Sequence, residues 1–416
     1  MNPLKNPSLP VNDDLQVERI GNHLNGKTIA LCVTGGIAAI ETPKIARHLR
    51  RYGAEVKAYV TPTALQFVGE MALEWATGKP VISKLSGLAE HICLEDLVLV
   101  APATYNSINS IYVGIADSAV TTLIASALGK KVPVLLAPTM HKSMYDNPIL
   151  QENLKKAPQY GLTIIPPRIS EGKAKMPHLE TLVAEVCRSL AEKENHVNLD
   201  NSVNNLYGKK ILITGGHTPG KIDEIRSIGN KFKGALAVEI AKEAYLRGAE
   251  VILLLNKTGI SLPPYLQSRV LFHEDYHQYT KNVFAELEQG YDAGIFSAAV
   301  ADYIPTSQYQ GKIPSCETEL LLRLQPTKKV IKEVREKFPE LFMVTFKYED
   351  GVSQEELLEI ARKRIGEGYQ IVVANRAQEM QESHCAYIVG KEGVIATPQS
   401  KKEIAERLLD TMSGAI

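Results

Sequence analysis

Two short glycine turns, each between an apolar strand and a helix-like segment, are the first candidates for chemistry in this sequence. "LCVTGGIAAIETPKIARHL" (31–49) contains Thr34-Gly35-Gly36, and "ILITGGHTPGKID" (211–223) contains the second turn. Glycines between a strand and a helix expose backbone N–H groups, which bind phosphate together with the helix dipole. Each turn therefore predicts a phosphate cradle, and a tight turn without a ligand is the alternative. Neither turn matches G-x-G-x-x-G or G-x-x-x-x-G-K-[ST], so a dinucleotide-type Rossmann enzyme or a P-loop NTPase is not the first choice.

Two polar segments follow later apolar runs and carry further candidate groups. "APATYNSINSIYVGIADSAVTTL" comes after the third run and "APTMHKSMYDNPILQENL" after the fourth. In an open α/β sheet, ligands bind beyond the carboxyl ends of the strands. Both segments leave their strands at that edge, so we expect their polar side chains to lie near the first glycine turn.

The elements that must position these groups alternate between short apolar runs and longer amphipathic stretches. This βαβ alternation predicts two doubly wound, Rossmann-like parallel-sheet α/β domains in series, the first of them flavodoxin-like. The predicted strands are 27–34, 54–61, 96–102, 132–138 and 161–167, then 209–216, 249–256, 293–300, 341–347, 370–375 and 386–390.

The alternation is interrupted by "AEKENHVNLDNSVNNLYG" (191–208), which is rich in Asn and charge and reads as a linker. We therefore predict a polar arm at 1–24, a first domain at 25–190, the linker at 191–208 and a second domain at 209–416. A length of 416 residues is consistent with this division.

Composition excludes several classes of function. Lys plus Arg and Asp plus Glu both number 47, which argues against a general binder of nucleic acid or membrane surfaces. No run reaches the ~20 apolar residues of a membrane span, and the amino terminus lacks a signal-peptide core. Five scattered cysteines show no zinc spacing, so we expect mostly small buried thiols and a cytoplasmic protein without a bound structural metal.

The first half resembles the flavin-dependent cysteine decarboxylase family. The resemblance is carried by the "GGIA" turn, by "APATYN" with "GIAD", by the "PTMHKSM" loop and by "HICL" (91–94). It implies that FMN is bound and that a cysteinyl carboxylate is removed, with the flavin as electron carrier. It also implies flavin sites between subunits of a homo-oligomer based on a trimer.

The second half resembles the phosphopantothenate–cysteine ligase family. The matching segments are "ITGGHTPGKIDEIRSIGN", "SAAVADY" (297–303), "GKIPS", "PTKKVI" and "ARKRIGEGYQIVVAN", in the family's order. Both resemblances together cover about 25–410 and indicate the family of bifunctional coenzyme A biosynthesis proteins. That family makes 4'-phosphopantetheine from 4'-phosphopantothenate, cysteine and a nucleoside triphosphate, usually CTP, with Mg2+.

The resemblance implies a set of flavin-contacting residues in the first half. Three would lie by the flavin phosphate, and the others would bind phosphate or ring from the ends of the following strands. They are Gly35, Gly36 and Ile37 for the phosphate, then Thr61, Thr63, Ala103, Thr104, Asn106 and Met140.

Catalysis in the first half would depend on His91, which matches the family's active-site histidine as a base or carboxylate orienter. A core histidine is the alternative. Where the bacterial loop has an Asn that contacts the substrate carboxylate, this chain has His141. The bacterial lid carries a proton-donating Cys, whereas "ISEGKAKMP" has none, so Lys173 or Lys175 is the candidate donor and a solvated basic loop the alternative.

In the second half the resemblance implies an acyl-nucleotide intermediate, whose formation between two anions requires cations and Mg2+. Lys312 in "GKIPS" matches the catalytic lysine, and Asn230 matches the residue that handles the intermediate. The residues implied for substrate or nucleotide binding are Asp223, Arg226, Phe296, Ser297, Ala298, Asp302, Lys329, Phe346 and Lys363.

Three departures concern the same half. The family's N-x-S-S-G loop is "NKFKG" (230–234), Glu367 replaces a second lysine, and His217 follows the glycine turn. The choice between CTP and ATP therefore stays open, and we expect a ligase-domain dimer. A diverged enzyme acting on another carboxylate or cysteinyl substrate, or a non-catalytic flavin-binding oligomer, remains the alternative.

Overall fold

The computed structural model describes residues 13–197, 205–257, 259–314, 319–382 and 385–416. The chain forms two compact units, 1–193 and 194–416. Among the described residues, no helix combines the length and apolar character that crossing a bilayer requires. Cys32, Cys93, Cys187 and Cys385 are buried free thiols, as expected, and Cys316 lies outside the described residues.

The first unit is built on a five-stranded parallel sheet with the order β2-β1-β3-β4-β6. All seven residues of β3 are buried, which explains why its sequence is a continuous apolar run rather than an alternating one. A small antiparallel sheet, β5-β8-β7, stands apart from the main one. The strands are β1 (Thr28–Val33), β2 (Glu55–Val60), β3 (Leu97–Ala103), β4 (Val134–Pro138), β5 (Met140–His141), β6 (Leu162–Ile164), β7 (Arg168–Ser170) and β8 (Lys173–Lys175).

Helices cover the sheet of the first unit, and their ends follow local sequence signals. Ser118 and Thr121 form a capping box at the start of α4, and Pro43 stands in the first turn of α1. The helices are α1 (Thr42–Arg51), α2 (Glu70–Thr77), α3 (Tyr105–Tyr112), α4 (Ala119–Gly129), α5 (Lys142–Tyr145), α6 (Pro148–Lys156) and α7 (Leu179–Val197), with short 3-10 turns at Asp13–Leu15, Ile37–Glu41, Ala64–Gln66 and Ala157–Tyr160.

Two segments predicted to lie outside the domains are partly structured. The end of the predicted arm lies on α1, because Leu24 is fully buried and the N–H of Ile20 donates to the carbonyl of Arg51 (2.9 Å). The predicted linker begins inside α7, and 198–204 lies outside the described residues. The amphipathic pattern therefore continues past the point where the polar composition suggested a break.

The second unit has an eight-stranded sheet with the order β13-β12-β9-β14-β17-β18-β19-β20. Its first six strands are parallel, and β19 and β20 add an antiparallel edge. Two-stranded antiparallel pairs β10-β11 and β15-β16 lie outside it. The strands are β9 (Lys210–Thr214), β10 (Gly220–Lys221), β11 (Ser227–Ile228), β12 (Glu250–Asn256), β13 (Val270–His273), β14 (Ala293–Phe296), β15 (Tyr303–Pro305), β16 (Leu324–Pro326), β17 (Phe342–Glu349), β18 (Ile371–Arg376), β19 (Tyr387–Gly390) and β20 (Gly393–Ala396).

Helices of the second unit pack on this sheet in two apolar clusters. One cluster joins α9 and α10 to β9 and β14, and the other joins α11 to β18 and β19. Ser353 and Glu356 form a capping box at the start of α11. The helices are α8 (Ala235–Leu246), α9 (Tyr276–Leu287), α10 (Val330–Lys337), α11 (Gln354–Gly366), α12 (Ala377–Glu382) and α13 (Lys401–Ser413), with a 3-10 turn at Pro264–Arg269.

One predicted strand ends earlier than expected, with a consequence for the site. The run 293–300 was predicted as one strand, but β14 ends at Phe296. The hydroxyl of Ser297 donates to the carbonyl of Thr214 (2.7 Å), and the N–H of Ala299 donates to that of Gly216 (2.8 Å). These bonds hold the segment beside the second glycine turn instead of in the sheet.

A buried ion cluster ties α8 to α13, and it generates a stability prediction. Arg247 donates from Nε to Glu243 and from an Nη to Asp410, both at 2.8 Å, and its side chain is 8% exposed. Arg247→Ala would remove the buried guanidinium from which the carboxylate of Glu243 accepts a hydrogen bond. We expect it to lower the free energy of unfolding by about 3–5 kcal/mol. Urea unfolding measures the loss, and hydrogen exchange in α8 and α13 assigns it to the second unit.

The matched control is Arg407→Ala, because Arg407 is 59% exposed and lies 3.8 Å from the carboxylate of Asp410. We expect it to cost less than about 1 kcal/mol. Equal effects of the two variants would contradict the importance of the buried cluster.

Candidate active sites

The first glycine turn is held by the ends of the neighbouring strands. A Cβ on Gly35 would stand 2.4 Å from Cγ2 of Thr63, so only glycine fits there. The hydroxyl of Thr34 donates to the carbonyl of Pro102 (2.7 Å) and accepts the N–H of Thr104 (3.1 Å). The ends of β1, β2 and β3 therefore meet at this turn, as the strand pattern predicted.

The remaining predicted flavin residues lie around the same edge. Gly36 precedes the 3-10 turn Ile37–Glu41, and the side chain of Ile37 is 70% exposed. Thr61 follows β2, where its hydroxyl accepts the N–H of Ala64 (3.3 Å). Asn106 is exposed in the first turn of α3.

Ala103 and Met140 link the third and fourth strands of the first sheet. Ala103 is the last, buried residue of β3, and its carbonyl accepts the N–H of Thr139 (3.0 Å). Met140 opens β5, so the loop after β4 passes directly from this edge into the small antiparallel sheet.

The candidate lid is an ordered hairpin. Glu171 and Gly172, both with positive φ (50° and 65°), form the two-residue turn between β7 and β8. Positive φ at both positions is typical of a type I′ turn. The register places His141 directly opposite Lys173. Two predicted catalytic side chains are therefore cross-strand neighbours on one face.

The two candidate proton donors on the hairpin differ in their partners. Lys175 is in an ion pair with Glu171 (2.5 Å). The hydrogen bonds of His141 fix one of its ring nitrogens, because Nδ1 accepts the N–H of Ser143 (3.3 Å) at the start of α5. Nε2 is then the ring nitrogen that carries a proton in the neutral form.

His91 is exposed on a loop that is anchored on both sides. The N–H of Cys93 donates to the hydroxyl of Ser126 (3.0 Å). The carboxylate of Glu95, 3% exposed, accepts from the ammonium of Lys57 (2.9 Å). The exposure of His91 argues against the alternative of a core histidine.

The second unit has a cavity of about 590 Å³ at the carboxyl ends of β9, β14 and β17, which we call the first cavity. The second glycine turn and the start of α8 form one wall, and Tyr279 from α9 lies on another. Six residues predicted for nucleotide binding line it: Phe296, Ser297, Ala298, Asp302, Lys329 and Phe346.

Asp302 and Lys329 pair with each other in the lining of the first cavity. Their carboxylate and ammonium form an exposed ion pair. The N–H of Thr327 donates to the carbonyl of Asp302 (2.9 Å), and the hydroxyl of Thr327 donates to that of Ala301 (2.6 Å). The two loops that carry the pair are thereby fixed to each other.

Basic residues around the first cavity include several that the motifs did not identify. Arg364 donates to the carbonyl of Phe346 (2.9 Å) and lines the cavity, whereas the predicted Lys363 is exposed on α11 and does not. Helix phase decides this difference, because adjacent residues lie about 100° apart around a helix. The other lysines in the lining are Lys231, Lys233, Lys328, Lys347 and Lys401.

Lys312 lies in a segment bound to the ID-x-x-R loop and lines neither this cavity nor the next. The N–H of Ile313 and the guanidinium of Arg226 both donate to one carboxylate oxygen of Asp223 (3.1 and 2.9 Å). Asp223 is 2% exposed. Burial alone would raise its pKa, but N–H groups such as that of Ile225 hold this pKa below its ordinary value.

Asp223 and Arg226 therefore bind the segment that carries Lys312 to the ID-x-x-R loop, because Arg226 also donates to the carbonyl of Ile313 (3.3 Å). The cation paired with Asp302 is Lys329, not Lys312.

A cavity of about 580 Å³, which we call the second cavity, adjoins the same glycine turn. Its lining contains Asn230, whose amide donates to the carbonyl of Ala299 (3.2 Å). Lys231 and Lys233 line both cavities. The "NKFKG" loop therefore forms the wall between them.

Two histidines of the second cavity were not identified as catalytic candidates from the sequence. Nδ1 of His217 lies 3.0 Å from the carbonyl of Phe232, so it carries the proton of the neutral ring. His273 is the last residue of β13 and is fully buried. Burial lowers its pKa to about 4, although the nearby carboxylate of Asp275 acts to raise this pKa. No sequence motif pointed to His273, and the strand β13 that carries it was not predicted either.

The fold and these sites define a class: a flavoprotein unit followed by a second α/β unit with a basic ligand cavity. A family model described as Flavoprotein matches 18–191, and one described as DNA/pantothenate metabolism flavoprotein C-terminal domain matches 206–415.

Relatives define the class further. The coenzyme A biosynthesis bifunctional protein CoaBC of Thermococcus kodakarensis is 40% identical over 93% of this chain and 95% of its own length. The CoaBC of Methanocaldococcus jannaschii is 33% identical over 94% and 95%. A solved DNA/pantothenate metabolism flavoprotein from Streptococcus pneumoniae is 28% identical and covers 50% of this chain and 100% of its own, with a TM-score of 0.44. The chain belongs to the family of bifunctional coenzyme A biosynthesis proteins, as its sequence predicted.

The buried His273 predicts acid sensitivity of the second unit. Its pKa is about 4 when folded and near 6.5 when exposed, so the unfolded chain binds the proton first as the pH falls. Stability is fully present above pH 6.5 and is lost toward pH 4, by roughly 3 kcal/mol in all. We expect His273→Phe to remove this part of the pH dependence. Urea unfolding between pH 4.5 and 7.5 measures the free energy of unfolding of the wild type and of the variant. If this free energy falls with pH equally in both proteins, His273 is not the source of the acid sensitivity.

Proposed function

We propose that the second unit ligates 4'-phosphopantothenate to cysteine through an acyl-nucleotide and that the first unit decarboxylates the product to 4'-phosphopantetheine with FMN. As a member of its family, the chain is a bifunctional enzyme of coenzyme A biosynthesis. The observation that carries the ligase proposal is the first cavity, with its basic lining and its position at the strand ends. CTP is the expected nucleotide, and ATP is tested beside it.

The charges of the first cavity suit a triphosphate. Activation brings a carboxylate to a phosphate, so cations have to offset the repulsion between two anions. Lys329, Arg364 and Lys401 supply positive charge in the lining. Asp302 offers an exposed carboxylate, the kind of ligand that Mg2+ takes beside substrate phosphates, so the residues fit that ion.

Lys312 and Asn230 complete the proposed ligase machinery. Asn230 lies at the wall between the cavities, where an acyl-nucleotide would have to form. Asp223 and Arg226 hold the segment that delivers Lys312. Lys363 stands one residue before the cavity-lining Arg364, on the exposed face of α11. Lys363 is proposed to meet the triphosphate outside the lining of the first cavity.

The first unit fits FMN at the glycine turn. Gly35 lets the turn approach Thr63 closely, while the N–H groups of Gly36 and Ile37 and the hydroxyls of Thr61 and Thr104 lie at the same edge. Ala103, Asn106 and Met140 continue that edge toward the ring. When bound, FMN accepts and returns two electrons, which makes loss of CO2 from the cysteinyl group possible.

Side chains of the protein are proposed to orient the substrate carboxylate and to transfer protons. His91 orients the substrate carboxylate or takes a proton, and His141 donates from Nε2 toward the same group. Lys173 is the favoured proton donor, because it stands opposite His141 of the neighbouring strand β5 while Lys175 is paired with Glu171. A lysine ammonium at this position replaces the lid cysteine of the bacterial enzymes.

The assembly and compartment form part of the proposal. Large apolar side chains of the first unit are exposed, among them Met71 (82%), Leu88 (86%) and Leu94 (76%). A surface of this kind is typical of an interface, so we propose a homo-oligomer with trimeric flavin domains (25–190) and dimeric ligase domains (209–416). The proposed compartment is the cytoplasm, and the proposed partners are small molecules rather than nucleic acid or membrane.

Lys312→Ala tests the ligase half. The variant is given 4'-phosphopantothenate, cysteine, Mg2+ and CTP or ATP, and pyrophosphate release and 4'-phosphopantetheine are measured. We expect nucleotide-dependent coupling to fall at least 100-fold with flavin content unchanged, because the lysine offsets charge in the transition state.

Lys281→Ala, an exposed lysine on α9, is the control and should retain the wild-type rate. Retained coupling in Lys312→Ala would refute its role. No coupling by the wild type with either nucleotide would refute the ligase proposal.

Gly35→Ala tests the flavin site. A methyl group 2.4 Å from Thr63 forces the turn to shift, and we expect FMN affinity to fall about 10-fold or more. Flavin absorbance after gel filtration measures retention. Gly69→Ala is the control, because a Cβ there meets no atom within 4 Å. Normal FMN retention in Gly35→Ala would exclude this turn from the flavin site.

A further inference from the structure

Most of the cations that line the first cavity are already bound to groups of the protein. Three lysines are in ion pairs with nearby carboxylates, and one arginine donates to a main-chain carbonyl. These pairs are Lys329–Asp302, Lys347–Glu349 (2.6 Å), Lys328–Glu333 (3.3 Å) and Arg364 with the carbonyl of Phe346 (2.9 Å). Within the part of the chain that the structure describes, the lining cations whose side chains make no hydrogen bond or ion pair are Lys231 and Lys401.

The two unpaired lysines differ in their surroundings. Lys231 is exposed, so water solvates its ammonium group. Lys401 is half-buried, and an ammonium that loses water without gaining a counter-charge costs free energy. Lys401 is also the first residue of α13, where the positive end of the helix dipole disfavours a cation. A native protein keeps a side chain in so unfavourable a place when function needs it there, because function is often retained at the expense of stability.

The phase of α13 directs Lys401 toward the first cavity. Side chains three positions apart share a helix face, and Ile404, which is 3% exposed, lines this cavity as well. Lys402 lies on another face, where it pairs with Glu406 (3.6 Å), and it lines neither cavity. The hydroxyl of Ser400 accepts a backbone N–H of the first turn (3.1 Å), which fixes the start of the helix. The position of Lys401 is therefore set by the helix that carries it.

The place of Lys401 in the cavity suits phosphates that do not join the acyl group. Lys231 and Lys233 line both cavities, whereas Lys401 lines the first cavity alone. In the proposed ligation, a carboxylate oxygen bonds to the inner phosphorus of the nucleotide at the wall between the cavities. The bond from that phosphorus to its bridging oxygen breaks, and the electron pair leaves with pyrophosphate. A cation away from the shared wall is thus placed for the two outer phosphates.

We propose that Lys401 binds the outer phosphates of the nucleoside triphosphate and offsets the negative charge that develops on pyrophosphate as it leaves. This inference rests on the proposed ligase function and adds to it a residue that selects a triphosphate over a monophosphate. The missing counter-charge of Lys401 is then supplied by the nucleotide. An ammonium binds phosphate as a point charge, so it requires no fixed bond direction.

Three variants of the full-length protein test the proposal. Lys401→Met keeps an unbranched apolar stem and removes the charge, and Lys401→Arg keeps the charge. Lys402→Met is the matched control, because it removes the charge of the adjacent, exposed lysine on the other face of α13. Calorimetry measures the binding of CTP, CMP and pyrophosphate with Mg2+, and ATP and AMP are tested beside them. Release of pyrophosphate measures the KM for each substrate.

We expect Lys401→Met to weaken the binding of CTP and of pyrophosphate about 10- to 100-fold, the usual effect of losing one hydrogen bond between charged groups. The affinity for CMP and the KM for 4'-phosphopantothenate should stay within about 2-fold. Lys401→Arg should retain most of the affinity for CTP, and Lys402→Met should bind as the wild type does. ATP and AMP replace CTP and CMP if the wild type ligates with ATP.

The stability of the ligand-free protein separates a binding role from a structural one. Lys401→Met removes an unpaired, half-buried charge from the start of a helix, so it should unfold at the same urea concentration as the wild type or at a higher one. A clearly lower midpoint would overturn the inference, because the ammonium would then serve the fold.

Unchanged affinity for the triphosphate in Lys401→Met, in a wild-type protein that does ligate, would overturn this inference alone. Equal losses for CTP and CMP would overturn it too, since they would place the ammonium at the inner phosphate or the nucleoside. A loss confined to 4'-phosphopantothenate would show that the lysine meets the acyl substrate, which also contradicts the inference. Absence of ligation by the wild type with either nucleotide would overturn the proposed function and this inference together.

Discussion

Close approach of the glycine backbone to neighbouring atoms at the strand ends is the constraint on which both sites depend. In the second unit, a Cβ on Gly234 would stand 2.7 Å from the N of Gly216, and one on Gly216 would stand 2.0 Å from Oδ1 of Asn256. Any larger residue would push α8 away from β9. In the first unit the close neighbour is a side chain, since a Cβ on Gly35 would stand 2.4 Å from Cγ2 of Thr63. The glycines therefore close the sheet against the helix, and the space beyond the strand ends is left for a ligand.

The fold and the family could both be predicted from the sequence. The predicted doubly wound fold is confirmed, because buried parallel strands are continuous apolar runs that can be recognised locally. The family was predicted from several short segments in a fixed order, and that prediction is confirmed as well. The strand that was missed, β13, is only four residues long and mixed in character, at the edge of its sheet. Because β13 was missed, His273 was missed as well, since its burial depends on the packing of α9 against that strand.

Other parts of the site depend on orientation, which a motif does not specify. Lys363 and Arg364 are adjacent in one basic helix, and only the phase of α11 decides that Arg364 faces the first cavity. The partner of Asp302 is likewise Lys329, from a loop that follows β16, because β15 and β16 pair and bring the two loops together. Spacing along the chain predicted that these groups belong to one site, but their pairing is a property of the folded sheet.

The departures of this chain from its family's loop are linked to one another in the structure. Phe232, which stands where the family has a hydroxyl, packs edge-on against Tyr348 (5.6 Å between ring centroids), and both line the first cavity. The carbonyl of Phe232 accepts the Nδ1 proton of His217, the atypical residue after the glycine turn. Aromatic packing and a histidine bond thus hold the loop in which Lys233 replaces the second hydroxyl. A lysine attracts phosphate as a point charge rather than by directed hydroxyl bonds, so the loop keeps a basic wall for both cavities without the family's two hydroxyls.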